Sequence, residues 1–196
     1  MRKDKASSGA LVYVAIGVVA VLILSVFFYF AGTKDRFVLE SADGPVSIED
    51  FRGKLLLVFF GYASCPVECP AVLLNMGDAF SELTEDELKV VKGLFISFDP
   101  ERDTPEKLKE YASYFHPNIV GATAREEVVK ELAKRFNAFY VKTKEEESEL
   151  GYNYSHSLFI HVVAPDGSIA GTLSGRATPE EIVAAIRKMI EKYGLK

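Results

Sequence analysis

The chain has 196 residues, 48% of them hydrophobic and 26% charged, and a net charge of −5; this is a globular composition and excludes a disordered chain. Arg2, Lys3, Lys5 and Lys34 against Asp4 leave residues 1–34 at +3, so residues 35–196 carry −8. An acidic body without a basic stripe repels phosphate backbones, which argues against nucleic acid as a partner.

Residues 9–32 hold no charge and are mostly Ala, Val, Ile, Leu, Phe and Tyr. A transmembrane helix needs about 20 such residues. A cleaved secretory signal is the rival reading. It has an apolar region of only about 7–15 residues and a small-x-small cleavage site, and Phe28-Tyr29-Phe30-Ala31-Gly32 is a poor one. The run therefore reads as an uncleaved anchor. The positive charges at Arg2, Lys3 and Lys5 favour an inside N-terminus. Residues 1–34 become a cytoplasmic stub, transmembrane anchor and linker, and residues 35–196 an extracytoplasmic domain. On that side two cysteines escape cytosolic glutathione.

Past the linker, residues 36–41 and 46–48 flank the turn Ala42-Asp43-Gly44-Pro45 and read as a small hairpin. Leu55 to Phe60 is a continuous apolar run, the pattern of a buried strand. A helix is expected from about Pro70 to Leu83, because proline is tolerated in a helix's first turn. Residues 84–91 read either as a short helix capped by Thr84 and Glu87 or as a loop. Residues 93–98 form a second buried strand. Thr104-Pro105 opens a helix with Leu108, Tyr111, Ala112 and Phe115 on one face. Thr123 and Glu126 form a capping box for another, burying Val128, Val129, Leu132 and Phe136.

A strand is expected at 138–141, then a charged loop or exposed hairpin tip over 142–151. Residues 157–164 and 169–173 are strands about the turn Pro165-Asp166-Gly167. Thr178, Pro179 and Glu181 cap a last helix with Ile182, Val183, Ile186 and Ile190 on one face. Apolar strands alternating with amphipathic helices make an α/β fold with some parallel pairing. A terminal hairpin and helix, after a βαβ unit with cysteines at its first turn, fit a thioredoxin-like arrangement, a mixed sheet flanked by helices.

The two cysteines of the chain, Cys65 and Cys69, stand four apart at the end of the first buried strand. A cysteine near a helix N-terminus meets unpaired N–H groups and the positive end of the dipole, which favours thiolate, the nucleophile and the metal ligand. Two soft thiolates suit Cu(I) or Zn(II). A four-thiolate iron–sulfur cluster is beyond one chain with two cysteines, and structural zinc would need two more ligands. A histidine is the best third ligand. His116 ends a helix and reads as a partner of its last carbonyls. His161 shares a strand face with Phe159 and Val163 and reads as a strand residue. His156 begins a strand where a thioredoxin-like fold faces the cysteine turn, so it is either a third ligand or a hydrogen-bonding residue. A plain disulfide closing so short a loop would gain little as a staple.

The segment Phe60-Gly61-Tyr62-Ala63-Ser64-Cys65-Pro66-Val67-Glu68-Cys69-Pro70 resembles the copper-binding CPxxCP signature of the Sco/SenC family. Residues 95–105, Tyr154-Ser155-His156-Ser157 and Pro165-Asp166-Gly167 resemble further blocks of that family, in order, over about residues 36–190. The resemblance implies a thioredoxin-like, membrane-tethered copper metallochaperone that assists assembly of the binuclear copper centre of cytochrome c oxidase. It implies copper, Cu(I) or Cu(II), held by Cys65, Cys69 and His156, and it puts Asp99 where the family has an acidic residue close to the site. The implied partner is the copper-bearing oxidase subunit or another copper acceptor. Ala63-Ser64 stands where the family often has Thr-His or Thr-Tyr, and the acid often found after the first proline is displaced to Glu68; both bear on the delivery partner more than on copper.

The alternative is a thiol–disulfide oxidoreductase reducing the acceptor's cysteines, with Cys65 attacking and Cys69 resolving. A peroxidase fits poorly, because Tyr62 stands where a threonine normally precedes a peroxidatic cysteine.

Overall fold

The computed structural model describes residues 13, 16–21, 25, 37–144 and 151–196. The chain divides into two compact units, 1–36 and 37–196. The expected anchor falls largely outside the described residues; among those described, no helix is long and apolar enough to cross a membrane. Residues 145–150 of the expected charged tip also lie outside them.

The second unit is built on a five-stranded sheet. Its centre is β3 (Leu55–Gly61), all seven residues of which are buried. A strand buried on both faces must read as a continuous apolar run, which is why this element is so visible in the sequence. β4 (Val91–Ser97) pairs parallel to β3 on one side, and β5 (Ile119–Ala122) pairs parallel to β4. β8 (Phe159–Val163) pairs antiparallel to β3 on the other side, and β9 (Ile169–Ser174) pairs antiparallel to β8. The strand order is thus β5-β4-β3-β8-β9. A separate hairpin, β1 (Leu39–Ser41) with β2 (Gly44–Val46), reaches the β5 edge through mutual Glu40 and Thr123 backbone bonds of 2.6 and 3.0 Å.

The helices are α1 (Glu68–Ser81), α2 (Glu85–Val90), α3 (Pro105–Phe115), α4 (Glu126–Arg135) and α5 (Pro179–Tyr193). Thr84 and Glu87 form a reciprocal capping box, so residues 84–91 hold a helix rather than a loop. Thr178 and Glu181 do the same for α5. Phe59, Phe80, Phe95 and Leu73 are fully buried between sheet and helices, each contributing roughly 1.5–3 kcal/mol of transfer free energy.

Three expectations from the sequence are corrected. β5 had no place in them: its four residues, squeezed between a proline and a threonine, show too little periodicity to stand out. Thr123 is not the cap of α4. Its backbone is pinned to Glu40, its hydroxyl donates to the Ser97 carbonyl at 2.9 Å, and Arg125 occupies the N-cap with no side-chain cap. His156 does not begin a strand but ends one: residues 152–156 are strand β7 (Tyr152–His156), paired antiparallel with β6 (Tyr140–Lys144). The alternation of Tyr152, Tyr154 and His156 with Asn153 and Ser155 is the period-2 signal for that strand. β6 and β7 form their own two-stranded sheet, outside the five-stranded one.

Candidate metal centre

The C-terminal end of a central parallel strand is where α/β sheets present their chemistry. Here that end is Gly61, and the chain turns at once toward α1. Gly61 has no side chain for a spatial reason: an added Cβ would lie 2.7 Å from Cys69 Sγ and 2.9 Å from the Phe95 ring. The cysteine turn is closed by the Cys65 N–H donating to the Tyr62 carbonyl at 3.3 Å. It is braced from beneath by Asp103. That carboxylate, fully buried, accepts from the Ala63 N–H at 2.8 Å and the Ser97 hydroxyl at 2.6 Å, and pairs with Lys107 at 3.1 Å.

Val67, at the N-cap of α1, has no side chain that can accept a hydrogen bond. The Cys65 sulfur takes that place and accepts the Cys69 N–H at 3.4 Å. Cys65 and Cys69 are both free and both buried. Their protonation is split. The Cys65 thiol is pulled down to about 3, first by the hydrogen bond from the Cys69 side chain and further by His156 and the N–H groups of Cys69 and Val67, against the opposing effect of burial. The Cys69 thiol is pushed up by that same hydrogen bond to Cys65, by burial and by the Cys65 charge. Burial and the neighbouring Cys65 charge also raise Tyr62, to about 12. The two sulfurs are thus shifted in opposite directions, Cys65 toward thiolate and Cys69 toward thiol, and Glu68 Oε2 lies 3.6 Å from the Cys65 sulfur.

The third donor arrives from the other sheet. His156 ends β7 and its Nε2 lies 3.5 Å from Cys69 Sγ. Its Nδ1 lies 3.1 Å from the Ser157 carbonyl oxygen. A carbonyl only accepts, so Nδ1 carries a proton, and in the neutral ring Nε2, on the side of the sulfurs, is then the nitrogen open to a metal. The ring is held among aromatics, with Phe98 at 5.2 Å, Tyr62 at 6.1 Å and Phe59 at 6.3 Å between centroids.

Cys65, Cys69 and His156 place one donor atom each within 4.8 Å of one another. Thiolate and imidazole bonds to a first-row metal are roughly 2.0–2.3 Å, so one ion can reach all three with little movement. Two soft sulfurs and one imidazole, with no fourth protein ligand in that group, suit copper better than the closed tetrahedron of structural zinc.

The other two histidines and Asp99 lie apart from the three donors. His161 is 2% exposed on β8, edge-on to Phe60 and Phe136, and burial lowers its pKa to about 4. His116 caps α3 through its backbone N–H to Ala112, while its ring accepts the Asn118 N–H at 3.0 Å; it does not serve the last carbonyls through its side chain. The carboxylate of Asp99 is taken up by Arg102 and by the Tyr152 hydroxyl at 2.8 Å. Asp103, Tyr62 and Phe98 also shape the site, and sequence reasoning alone does not assign them to it. A signal for Asp103 exists, a second aspartate four residues after Asp99 in one short loop.

The SCO1/SenC family model matches residues 30–191. The chain belongs to the SCO1/SenC family. Among curated relatives, the Saccharomyces cerevisiae mitochondrial protein SCO2 is 33% identical over 149 residues, which is 76% of this chain. That match spans 50% of the yeast protein's own length, so this chain corresponds to about half of it. Among solved structures, Arabidopsis thaliana ScoI with copper bound superposes with a TM-score of 0.72 at 30% identity, covering 81% of this chain and 98% of that one. Apo Sco1 from Thermus thermophilus gives 0.71 at 34% identity, covering 78% and 89%. The thioredoxin-like architecture expected from the sequence is the Sco fold.

Proposed function

We propose that this protein is a copper metallochaperone. Cys65, Cys69 and His156 hold one copper ion as cargo, for delivery to the copper-bearing subunit of cytochrome c oxidase or to another copper acceptor. The observation that carries the reading is the convergence of three donor atoms, with His156 Nδ1 taken up by the Ser157 carbonyl and Nε2 turned to the sulfurs. The copper-bound Arabidopsis relative supports it, as does BsSco, 26% identical at a TM-score of 0.61 and described as a member of the Sco family of cytochrome c oxidase assembly proteins. Cu(I) is satisfied by the two thiolates; Cu(II) gains from the imidazole. Three donors leave a coordination position through which an acceptor's ligand can enter, which favours transfer over storage.

The placement proposed for the copper domain, residues 35–196, is extracytoplasmic, tethered by a single span within residues 1–34. The uncharged run over 9–32 supports this, being long enough to cross a bilayer.

One observation favours a second, compatible reading. The Cys65 sulfur accepts the Cys69 N–H in the first turn of α1, and the two thiols are shifted in opposite directions, which suits a thiol–disulfide reductase. Cys65 would attack an acceptor disulfide and expel one acceptor sulfur as thiolate. Cys69, losing its proton, would then displace the second acceptor sulfur by attacking Cys65 in the mixed disulfide, leaving Cys65–Cys69 oxidised and the acceptor reduced by two electrons.

The two readings separate on the detergent-solubilised full chain. Copper stoichiometry and the Cu(II) absorption spectrum are compared between wild type and His156→Ala. One copper per chain, with a thiolate charge-transfer band shifted or lost in the variant, supports the chaperone. No tight copper together with a readily reversible Cys65–Cys69 disulfide leaves the reductase.

A further inference from the structure

The thiols sit on the rigid centre of the main sheet, while His156 sits on a hairpin that shares no ladder with that sheet. Something other than strand pairing must fix where the imidazole lies. The ring packing of Tyr140 and Tyr154 on Phe98 is apolar and sets no register. One directional contact comes from Tyr62, whose hydroxyl donates to Asn153 Oδ1 at 3.4 Å; the others gather about one cation. Arg102 pairs through Nε with the fully buried Asp99 and donates from Nη1 to the Tyr152 carbonyl at 3.1 Å. Its guanidinium lies 3.9 Å from the Tyr152 ring centroid and 5.7 Å from that of Tyr62, so it stands between the hairpin and the cysteine turn. Tyr152 is held at its other end too, its hydroxyl lying 2.8 Å from Asp99 Oδ1 and 3.0 Å from Glu101 Oε2, with one proton shared between the two carboxylates. Lys142, on the opposite strand, closes the ring of contacts through Glu101 at 3.0 Å and the Tyr152 face at 3.8 Å.

We infer that Arg102, braced by Asp99, is a positioning residue that latches the β6–β7 hairpin and thereby sets the reach of His156 to the thiols, and with it the preference of the site between Cu(II) and Cu(I). Arg102 Nη2 is buried without a hydrogen-bond partner among the described residues. An arginine serving only solubility would rotate that group into water. Tyr152 and His156 are four residues apart, roughly 13 Å of strand, and metal bonds tolerate about 0.2 Å of error. A small tilt at the latched end is therefore enough to take the imidazole out of bonding range, while the thiol pair is untouched. The role in metal preference rests on the copper reading, but the latch itself does not need a metal.

The test has a copper arm and a metal-free arm on the full chain, with Arg102→Gln and the milder Tyr152→Phe. In the metal-free arm, hydrogen exchange of amides 140–144 and 152–156 should rise about tenfold, with amides of β3 and α1 unchanged. In the copper arm, Cu(II) affinity should fall about tenfold while Cu(I) affinity stays within about twofold. On a His156→Ala background, Arg102→Gln should cost no further Cu(II) affinity, because the two act through one interaction. Unchanged hairpin exchange in both variants overturns the latch. An equal loss of Cu(I) and Cu(II) affinity, or a loss that persists without His156, overturns its role in metal preference. A wild-type chain that binds no copper would defeat the copper reading, while the exchange arm would still decide the latch. If Arg102→Gln does not fold, Tyr152→Phe decides both arms.

Discussion

The β3–α1 junction and the β6–β7 hairpin each bring donors to one point, and they are built in opposite ways. The junction is the end of a strand buried over its whole length and paired on both sides. Its glycine is forced by contact with Cys69, and its turn is braced by a buried carboxylate. The hairpin is a two-stranded ribbon whose β6 residues are mostly exposed, and it is held by rings and one guanidinium. Two-stranded ribbons have little stability of their own. The thiol half of the site is therefore preformed, and the imidazole half is placed by side-chain contacts. On the copper reading proposed above, that division would suit a carrier: the soft pair would retain Cu(I) whatever the hairpin does, and the histidine would join or leave with oxidation state and partner.

The largest expected effect breaks the rigid half. Cys65→Ser or Cys69→Ser should weaken Cu(I) by more than about a hundredfold, read by competition with a chromophoric Cu(I) chelator, since Cu(I) has no soft replacement there. His156→Ala, which breaks the other half, should lower Cu(II) affinity about tenfold to a hundredfold and leave Cu(I) within a few-fold; equal losses would erase the distinction between the halves. Gly61→Ala should destabilise the fold by about 1–3 kcal/mol in urea titrations and also weaken copper, because the new methyl displaces Cys69.

Two further groups sharpen the contrast through pH. Burial holds His161 neutral in the main sheet, with a pKa of about 4, against about 6.5 in the unfolded chain. Between those values the unfolded state binds the extra proton, so stability is intact above about pH 6.5 and falls as pH drops toward 4, by about 3 kcal/mol in all. Urea midpoints at pH 7 and 5 should converge in His161→Phe relative to wild type. The smallest effect is chemical. With its pKa near 3, Cys65 should alkylate at a rate nearly flat from about pH 5 to 8, where an ordinary thiol accelerates steeply. Peptide mapping should find Cys69 protected.

The same contrast governs what the sequence discloses. Buried strands, capping boxes and the cysteine turn are written in local pattern, so β3, β4, α3 and α5 and the thiol pair are legible, while the short α2 stays open between helix and loop until its capping box is seen in place. His156 is reached from sequence only through the expected fold and the family resemblance, because the contact between β7 and the thiols spans almost ninety residues of chain, Cys69 to His156. β5 is hidden by its brevity. The capping box at Thr123 fails because a tertiary bridge to Glu40 overrides a local side-chain preference. Asp99 is legible as an acid near the site, yet its work on Arg102 and Tyr152 emerges only when the hairpin is in place.

Copper K-edge X-ray absorption on the loaded full chain decides whether two thiolates and one imidazole share a single copper ion. Two sulfur scatterers are expected in both oxidation states at about 2.2–2.3 Å, with an imidazole in the Cu(II) form that disappears in His156→Ala. A Cu(II) form with one sulfur or none, or an imidazole signal that survives the substitution, would rule out the shared site.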